Sequence, residues 1–195
     1  MDEWKLYSVS DRYIHYLRSI FPNVYSNKDK TRLHTRKYIG TLIQMAEFCY
    51  YIPLSSPKPS DYQQAGESKA IKKSIVPIMR IVVKNTHGEK ELKGTLRISH
   101  MIPVPLSELE RYDVDAETDP AYKNLILNEI YFIRKNRSKI LANARLMYKQ
   151  KTENDRSAGY VKAALDFTAL EKCCMDYMQD HPSLSFSDDS HPVSP

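Results

Sequence analysis

Two adjacent hydroxyls and one ammonium group lie between prolines in Ser55-Ser56-Pro57-Lys58-Pro59. Hydroxyls can donate hydrogen bonds to an anionic oxygen, and a lysine can place a point charge on it. Pro57 and Pro59 fix their own φ and bias Ser56 and Lys58 toward extended backbone. The segment therefore reads as a stiff loop, leaving an apolar run from Phe48 to Leu54 that looks like a buried strand. Rigid loops on packed scaffolds are where polar chemistry is usually placed. The same residues would also make an ordinary sheet exit, with the hydroxyls only capping the loop backbone. Ser55-x-x-Lys58 also spells the Ser-x-x-Lys of serine acylases, which needs the lysine one helical turn after the serine. Pro59 disfavours a helical Lys58, so that reading is set aside.

A second candidate group precedes the strands. Between Tyr25 and Lys37 lie Lys28, Lys30, Arg32, Arg36 and Lys37 against a single acid, Asp29. The chain carries 14 tyrosines and a net charge of +5, from 29 basic and 24 acidic residues. The charge excess is mild, but basic residues interleaved with tyrosine suit RNA, whose unpaired bases stack on aromatic rings. His34 lies in this basic segment and His100 precedes Met101; both are expected at the surface. Glu129 is expected to face solvent from a helix.

These groups need a scaffold. Trp4 to Val9 alternates as a short strand, and Ser10 is placed to cap a helix over Asp11 to Ile20, which Pro22 ends. Asn23 to Lys37 has no periodicity and reads as an exposed loop. Tyr38 to Met45 and Phe48 to Leu54 are two apolar runs separated by Ala46-Glu47, which predicts a hairpin, with Gly40 marking a bulge or a close backbone approach. Pro59 to Lys73 is polar and poorly patterned. Ile75 to Val83 and Glu91 to Ile98 are further strands around the turn Asn85-Thr86-His87-Gly88, with Pro77 arguing for an edge or a strand start. Met101 to Pro105 is a short proline-bounded strand. Asp119-Pro120 opens a helix whose stripe runs through Ile126, Ile130, Ile133, Ile140, Ala144 and Met147, with a break near Asn136 to Ser138. Asp166 caps a last helix that buries Phe167, Leu170, Cys174 and Tyr177.

Strands first and long helices last describe an α+β protein with a small, curved, mostly antiparallel sheet and helices packed on one side. The 195 residues suit one domain, with residues 1–180 folded and a serine-, proline- and aspartate-rich tail, 181–195, disordered. No apolar run is long enough to span a bilayer as a helix. The three cysteines form neither a disulfide framework nor a zinc spacing, and Met1-Asp2-Glu3-Trp4 does not read as a secretory leader. A reduced, cytoplasmic protein without metal or other cofactor is expected.

At these residues the chain resembles the endoribonuclease toxins of type III toxin–antitoxin systems, the ToxN, AbiQ, CptN and TenpN group. The shared blocks are Leu6-Tyr7-Ser8-Val9-Ser10 with Tyr13-Ile14, Arg36-Lys37-Tyr38-Ile39-Gly40, Pro53-Leu54-Ser55-Ser56-Pro57-Lys58, and Met101-Ile102-Pro103-Val104. Asp119-Pro120-x-Tyr122-x-Asn124-Leu125, Phe132-Ile133-x-x-Asn136 and Asp166-Phe167 with Leu170-Glu171 continue them in order, from about residue 6 to residue 178.

The resemblance implies a curved-sheet fold related to the Kid/MazF toxin barrel. It implies metal-independent, sequence-selective cleavage of cellular or phage RNA. The ribose 2′-hydroxyl would attack the neighbouring phosphorus, leaving a 2′,3′-cyclic phosphate and a 5′-hydroxyl. It also implies inhibition by a repeat RNA in a closed assembly with several copies of each partner, and a role in abortive infection; no membrane or DNA partner is expected. The substrate supplies the nucleophile, so the enzyme must align it, stabilise phosphoryl charge and move protons. Carried onto this chain, the catalytic residues are Ser56, Ser55, Lys58, Lys37 and Arg36, and the RNA-binding residues are Tyr13, Tyr25, Lys28, Lys30, Arg32 and His34. A non-catalytic RNA-binding module on the same scaffold is the alternative.

Overall fold

The described residues of this computed structural model are 5–28, 34–45, 47–155 and 157–182. Its strands, in chain order, are β1 (Lys5–Val9), β2 (Tyr38–Met45), β3 (Phe48–Ser55), β4 (Tyr62–Ala65), β5 (Ser68–Ile71), β6 (Ile78–Lys84), β7 (Lys90–Arg97), β8 (Ile102–Pro103) and β9 (Leu109–Arg111). The helices are α1 (Asp11–Ile20), α2 (Pro120–Lys135), α3 (Arg137–Thr152) and α4 (Phe167–Asp180).

The β2–β3 hairpin is the centre of a seven-stranded antiparallel sheet of order β6-β7-β3-β2-β1-β9, with β8 beside the start of β3. Strand β3 changes partner along one edge. Tyr50 and Tyr51 pair with β8, whereas Leu54 and Ser55 pair with Leu96 and Thr95 of β7. Pro53, which has no N–H to give a ladder, falls between these two pairings, and Leu54 N–H bonds across to Lys37 O on the β2 side at 2.9 Å. A proline is thus accommodated inside a central strand.

Register shifts after Gly40 in β2 and after Ile81 in β6 bend the sheet. A Cβ at Gly40 would overlap the Tyr51 ring, so the expected close approach is real. The sheet nevertheless remains open, and the Kid/MazF-like barrel is a correction to make. β6 and β9 are its unjoined ends among the described residues. The β9 end is only three residues long, too short a ladder for the seven-residue β6 to close on.

The capping predictions hold. Ser10 Oγ accepts from Tyr13 N–H, Asp119 accepts from Ala121 and Tyr122 N–H, and Asp166 accepts from Ala169 N–H. Asn136 breaks the long helical stretch into α2 and α3. Helix α2 lies on β6 and β7, α3 on β2, and α4 against β8. One apolar cluster joins Tyr13, Ile14 and Leu17 of α1 to Ile52, Ile133, Ile140, Phe167 and Leu170. Two expectations need amendment. The polar stretch after Pro59 is a hairpin, β4–β5, turning at Gly66 with φ +64°. The basic segment is not simply exposed, because Val24, Asn27 and Arg36 are buried. Trp4, Ala46 and the tail from residue 183 lie outside the described residues.

Candidate active site

The loop after β3 is fastened from below. A short helical turn, Pro59–Asp61, ends it, and the Asp61 carboxylate accepts from Lys58 N–H at 3.0 Å. Asp61 is 1% exposed and lies between two arginines, Arg80 of β6 at 3.1 Å and Arg97 of β7 at 3.2 Å. Buried charges persist only when paired and hydrogen-bonded. This triad ties the backbone of Lys58 to two strands and leaves one excess positive charge beneath the loop. It was missed in the sequence. The available signal was a pair of arginines at interior positions of apolar strands, with an acid at the third position of a Pro-led turn.

Ser55 is buried at the end of β3, where its carbonyl accepts from Thr95 Oγ1 at 3.3 Å, while Ser56 and Lys58 are exposed. The loop separates two hollows, and Ser55 borders both.

The first hollow, of about 390 Å³, is cationic. Tyr25 stacks on His100 with centroids 4.5 Å apart, the Arg36 guanidinium lies 4.5 Å from the Tyr25 ring, and Lys58 Nζ lies 5.7 Å from it. Burial, helped by Arg97, Lys58 and Arg36, pushes the His100 imidazole down to about 4, so it is neutral at pH 7. His100 is therefore part of the site and not a surface residue. Arg36 is 5% exposed and donates to Leu54 O at 2.6 Å and Ser26 O at 3.1 Å. It braces the end of β3 and contributes its charge, but it is not a free phosphate clamp. Tyr25 is likewise engaged by His100 and Arg36.

The second hollow, of about 260 Å³, lies between α2 and the loop and is lined by Ser55, Ser56, Lys37, His34 and Glu129 among others. His34 stacks on Tyr122 at 3.6 Å, with its Nε2 3.7 Å from Asp119. Lys37 Nζ donates to Ser8 Oγ at 3.1 Å and lies 4.0 Å from the Tyr112 ring centroid. Burial lowers the Lys37 ammonium below the ordinary lysine value, against the opposing pull of Glu110 and Glu117. Glu129 does not face solvent: it is 6% exposed, and burial alone pushes its carboxyl up to about 8.

The remaining expected RNA contacts divide. Tyr13 is fully buried and its hydroxyl donates to Pro103 O at 2.8 Å, so it is a core residue that no base can reach. Lys28 is exposed, and Lys30 and Arg32 lie outside the described residues. Among the described residues, no three His, Cys, Asp or Glu side chains gather in a metal-binding arrangement.

Solved structures share this architecture. A toxin structure concerned with selective toxin inhibition by a non-coding RNA pseudoknot aligns with TM-score 0.74 at 28% identity, covering 91% of this chain and 99% of that one. The lactococcal anti-phage endoribonuclease AbiQ, of a type III system, has the same fold, with TM-score 0.71 at 23% identity over 91% of this chain and 99% of that one. By fold, this is the class of the type III toxins. The family described as Toxin ToxN, type III toxin-antitoxin system, matches residues 5–175, and the chain belongs to it. Among curated relatives, Endoribonuclease ToxN of Bacillus thuringiensis subsp. kurstaki is 28% identical over 184 residues, 91% of this chain and 86% of the relative. Endoribonuclease AbiQ of Lactococcus lactis subsp. lactis is 29% identical over 171 residues, 86% and 85% of the two chains.

Proposed function

We propose that this endoribonuclease toxin cuts single-stranded RNA laid across the Ser55–Lys58 loop, without a metal ion. The observation that carries the reading is the position of the two serines, on a pinned loop between a cationic hollow and a hollow with an apolar floor. The scissile phosphate sits on the loop, and the flanking nucleotides enter the hollows. Ser56 Oγ and Lys58 Nζ stabilise the non-bridging oxygens, and Ser55 supports Ser56 from the strand end. The attacking 2′-hydroxyl belongs to the RNA, so the enzyme provides alignment and proton transfer. The half-buried Lys37 ammonium, lowered from the ordinary lysine value by burial, is the candidate for that transfer. His100, kept neutral at pH 7 mainly by burial, stacks on Tyr25 beside the cationic hollow. The products are a 2′,3′-cyclic phosphate and a 5′-hydroxyl, and cleavage is sequence-selective.

The family membership and the relative inhibited by an RNA pseudoknot support a repeat RNA antitoxin as partner; a closed assembly with several copies of each is part of the same proposal. The anti-phage relative supports a role in abortive infection. The same reading has the toxin act in the cytoplasm as one domain over residues 1–180; no helix among the described residues is long and apolar enough to cross a membrane. Cleavage of a long RNA in excess EDTA, with chemical mapping of the new ends, tests the reading; Ser56→Ala should lose the cuts.

A further inference from the structure

Glu129 is nine-tenths buried, yet nothing among the described residues pairs with its carboxyl group. The other buried acids differ: Asp61 has Arg80 and Arg97, and Glu108 has Arg12 and the Ser10 hydroxyl. An unsatisfied buried acid is costly, and a protein that keeps one in a hollow usually has a ligand for it. The space for it comes from Gly94 of β7, because a Cβ there would lie 2.7 Å from Glu129 Oε1 and 3.3 Å from Ser55 O.

The hollow around the acid has the surfaces of a base site. Leu54, Leu125 and Ile126 make it apolar, and the Tyr122 ring, with His34 stacked on it, offers a flat wall. Its volume of about 260 Å³ lies below the roughly 300–1,000 Å³ of ordinary small-molecule pockets, which suits one planar ring system. Lys37 and Lys93 also line it, so a divalent cation is disfavoured and a group attached to a phosphate is welcome.

We propose that this hollow holds the base of a nucleotide beside the cut, and that Glu129 reads it by accepting a hydrogen bond from an exocyclic amino group. This rests on the endoribonuclease reading above. Adenine, cytosine and guanine carry such an amine, and uracil does not. Because burial favours the neutral acid, its O–H also supplies a donor, and the acceptor–donor pair matches the amine and adjacent ring nitrogen of adenine or cytosine.

The test gives the purified protein a pool of RNAs randomised around a mapped cut and sequences the ends, for wild type, Glu129→Gln and Glu129→Leu. Wild type should favour amino-bearing bases over uracil by about tenfold or more at one flanking position. Glu129→Leu should reduce that preference to about threefold or less, whereas Glu129→Gln, whose amide keeps the acceptor–donor pair, should retain it, with overall cleavage by both variants within about tenfold of wild type. On a single-site substrate, wild type should cut the analogue lacking the amine about tenfold more slowly than the parent, with purine riboside replacing adenosine or zebularine replacing cytidine. Glu129→Leu should cut both alike. Unchanged preference in Glu129→Leu, or equal wild-type rates on parent and analogue, would overturn the assignment. So would complete loss of cleavage in both variants with unchanged melting curves, because Glu129 would then belong to the reaction itself. A wild type that cuts no RNA would instead overturn the reading on which the proposal rests.

Discussion

Asp61 and Glu129 are both buried carboxylates next to the serine loop, and their surroundings are opposite. Asp61 is held by two arginines and a backbone N–H, all within 3.2 Å. Glu129 has apolar side chains, a glycine and an open hollow. The first is charge-paired within the fold, and its effect is to fix Lys58. The second can be satisfied only by something that enters. The comparison teaches that burial alone does not mark a functional acid; burial without a partner, facing space, does.

Breaking the satisfied side should have the largest effect. Asp61→Ala leaves two buried arginines unpaired and should destabilise the protein by about 3–5 kcal/mol, read by urea unfolding. It should also weaken cleavage, because Lys58 loses its anchor. Next comes the loop itself. Ser56→Ala removes one exposed hydroxyl and should slow cleavage by about 10²–10³-fold while leaving the melting temperature unchanged.

The unsatisfied side predicts a pH effect of definite sign. With its carboxyl at about 8 in the folded protein and 4.5 as the ordinary value, Glu129 keeps its proton on folding across that window. The unfolded chain loses the proton first, so stability falls as pH rises from 4.5 to 8. Glu129→Gln should flatten that limb and raise stability at pH 8 by an amount on the order of a few kcal/mol. Gly94→Ala should cost about 1–3 kcal/mol through overpacking. Part of that cost should vanish in a Glu129→Ala background, because the two sites share one space.

His100 gives the smallest effect at neutral pH, with the opposite sign. Its imidazole is held at about 4 against the usual 6.5, so the unfolded chain binds a proton that the folded one refuses. Stability should therefore fall as pH drops from 6.5 to 4. His100→Phe keeps the stack on Tyr25 and should remove that slope with little change at pH 7. Thermal melts across pH, run on both variants, would show two limbs that disappear independently.

Much of this was legible in the sequence because it depends on local chemistry. Ser10, Asp119 and Asp166 cap helices by interactions within three residues, and Pro57 and Pro59 stiffen the loop through their own rings. The β2–β3 hairpin announced itself by two apolar runs. The three-residue β9 and the polar β4–β5 hairpin did not, because neither carries enough periodicity to distinguish it from loop. Closure of the sheet depends on whether distant edges meet, which no local pattern records. Glu129 was readable in hindsight: it lies three residues after Ile126 and four before Ile133, on the stripe that α2 buries. The pairing of Asp61 with Arg80 and Arg97, and the stacking of His100 on Tyr25, join segments 19–75 residues apart; they required the fold.

The central claim is that the Ser55–Lys58 loop is where RNA is cut, by attack from the RNA's own 2′-hydroxyl. The most direct measurement compares wild type and Ser56→Ala on a long RNA in excess EDTA, with both new ends identified chemically. The account predicts 2′,3′-cyclic phosphates and 5′-hydroxyls at recurring short sites for wild type, and intact RNA for Ser56→Ala over the same time. Cleavage abolished by EDTA, ends bearing a 3′-hydroxyl, or equal cutting by Ser56→Ala would contradict it.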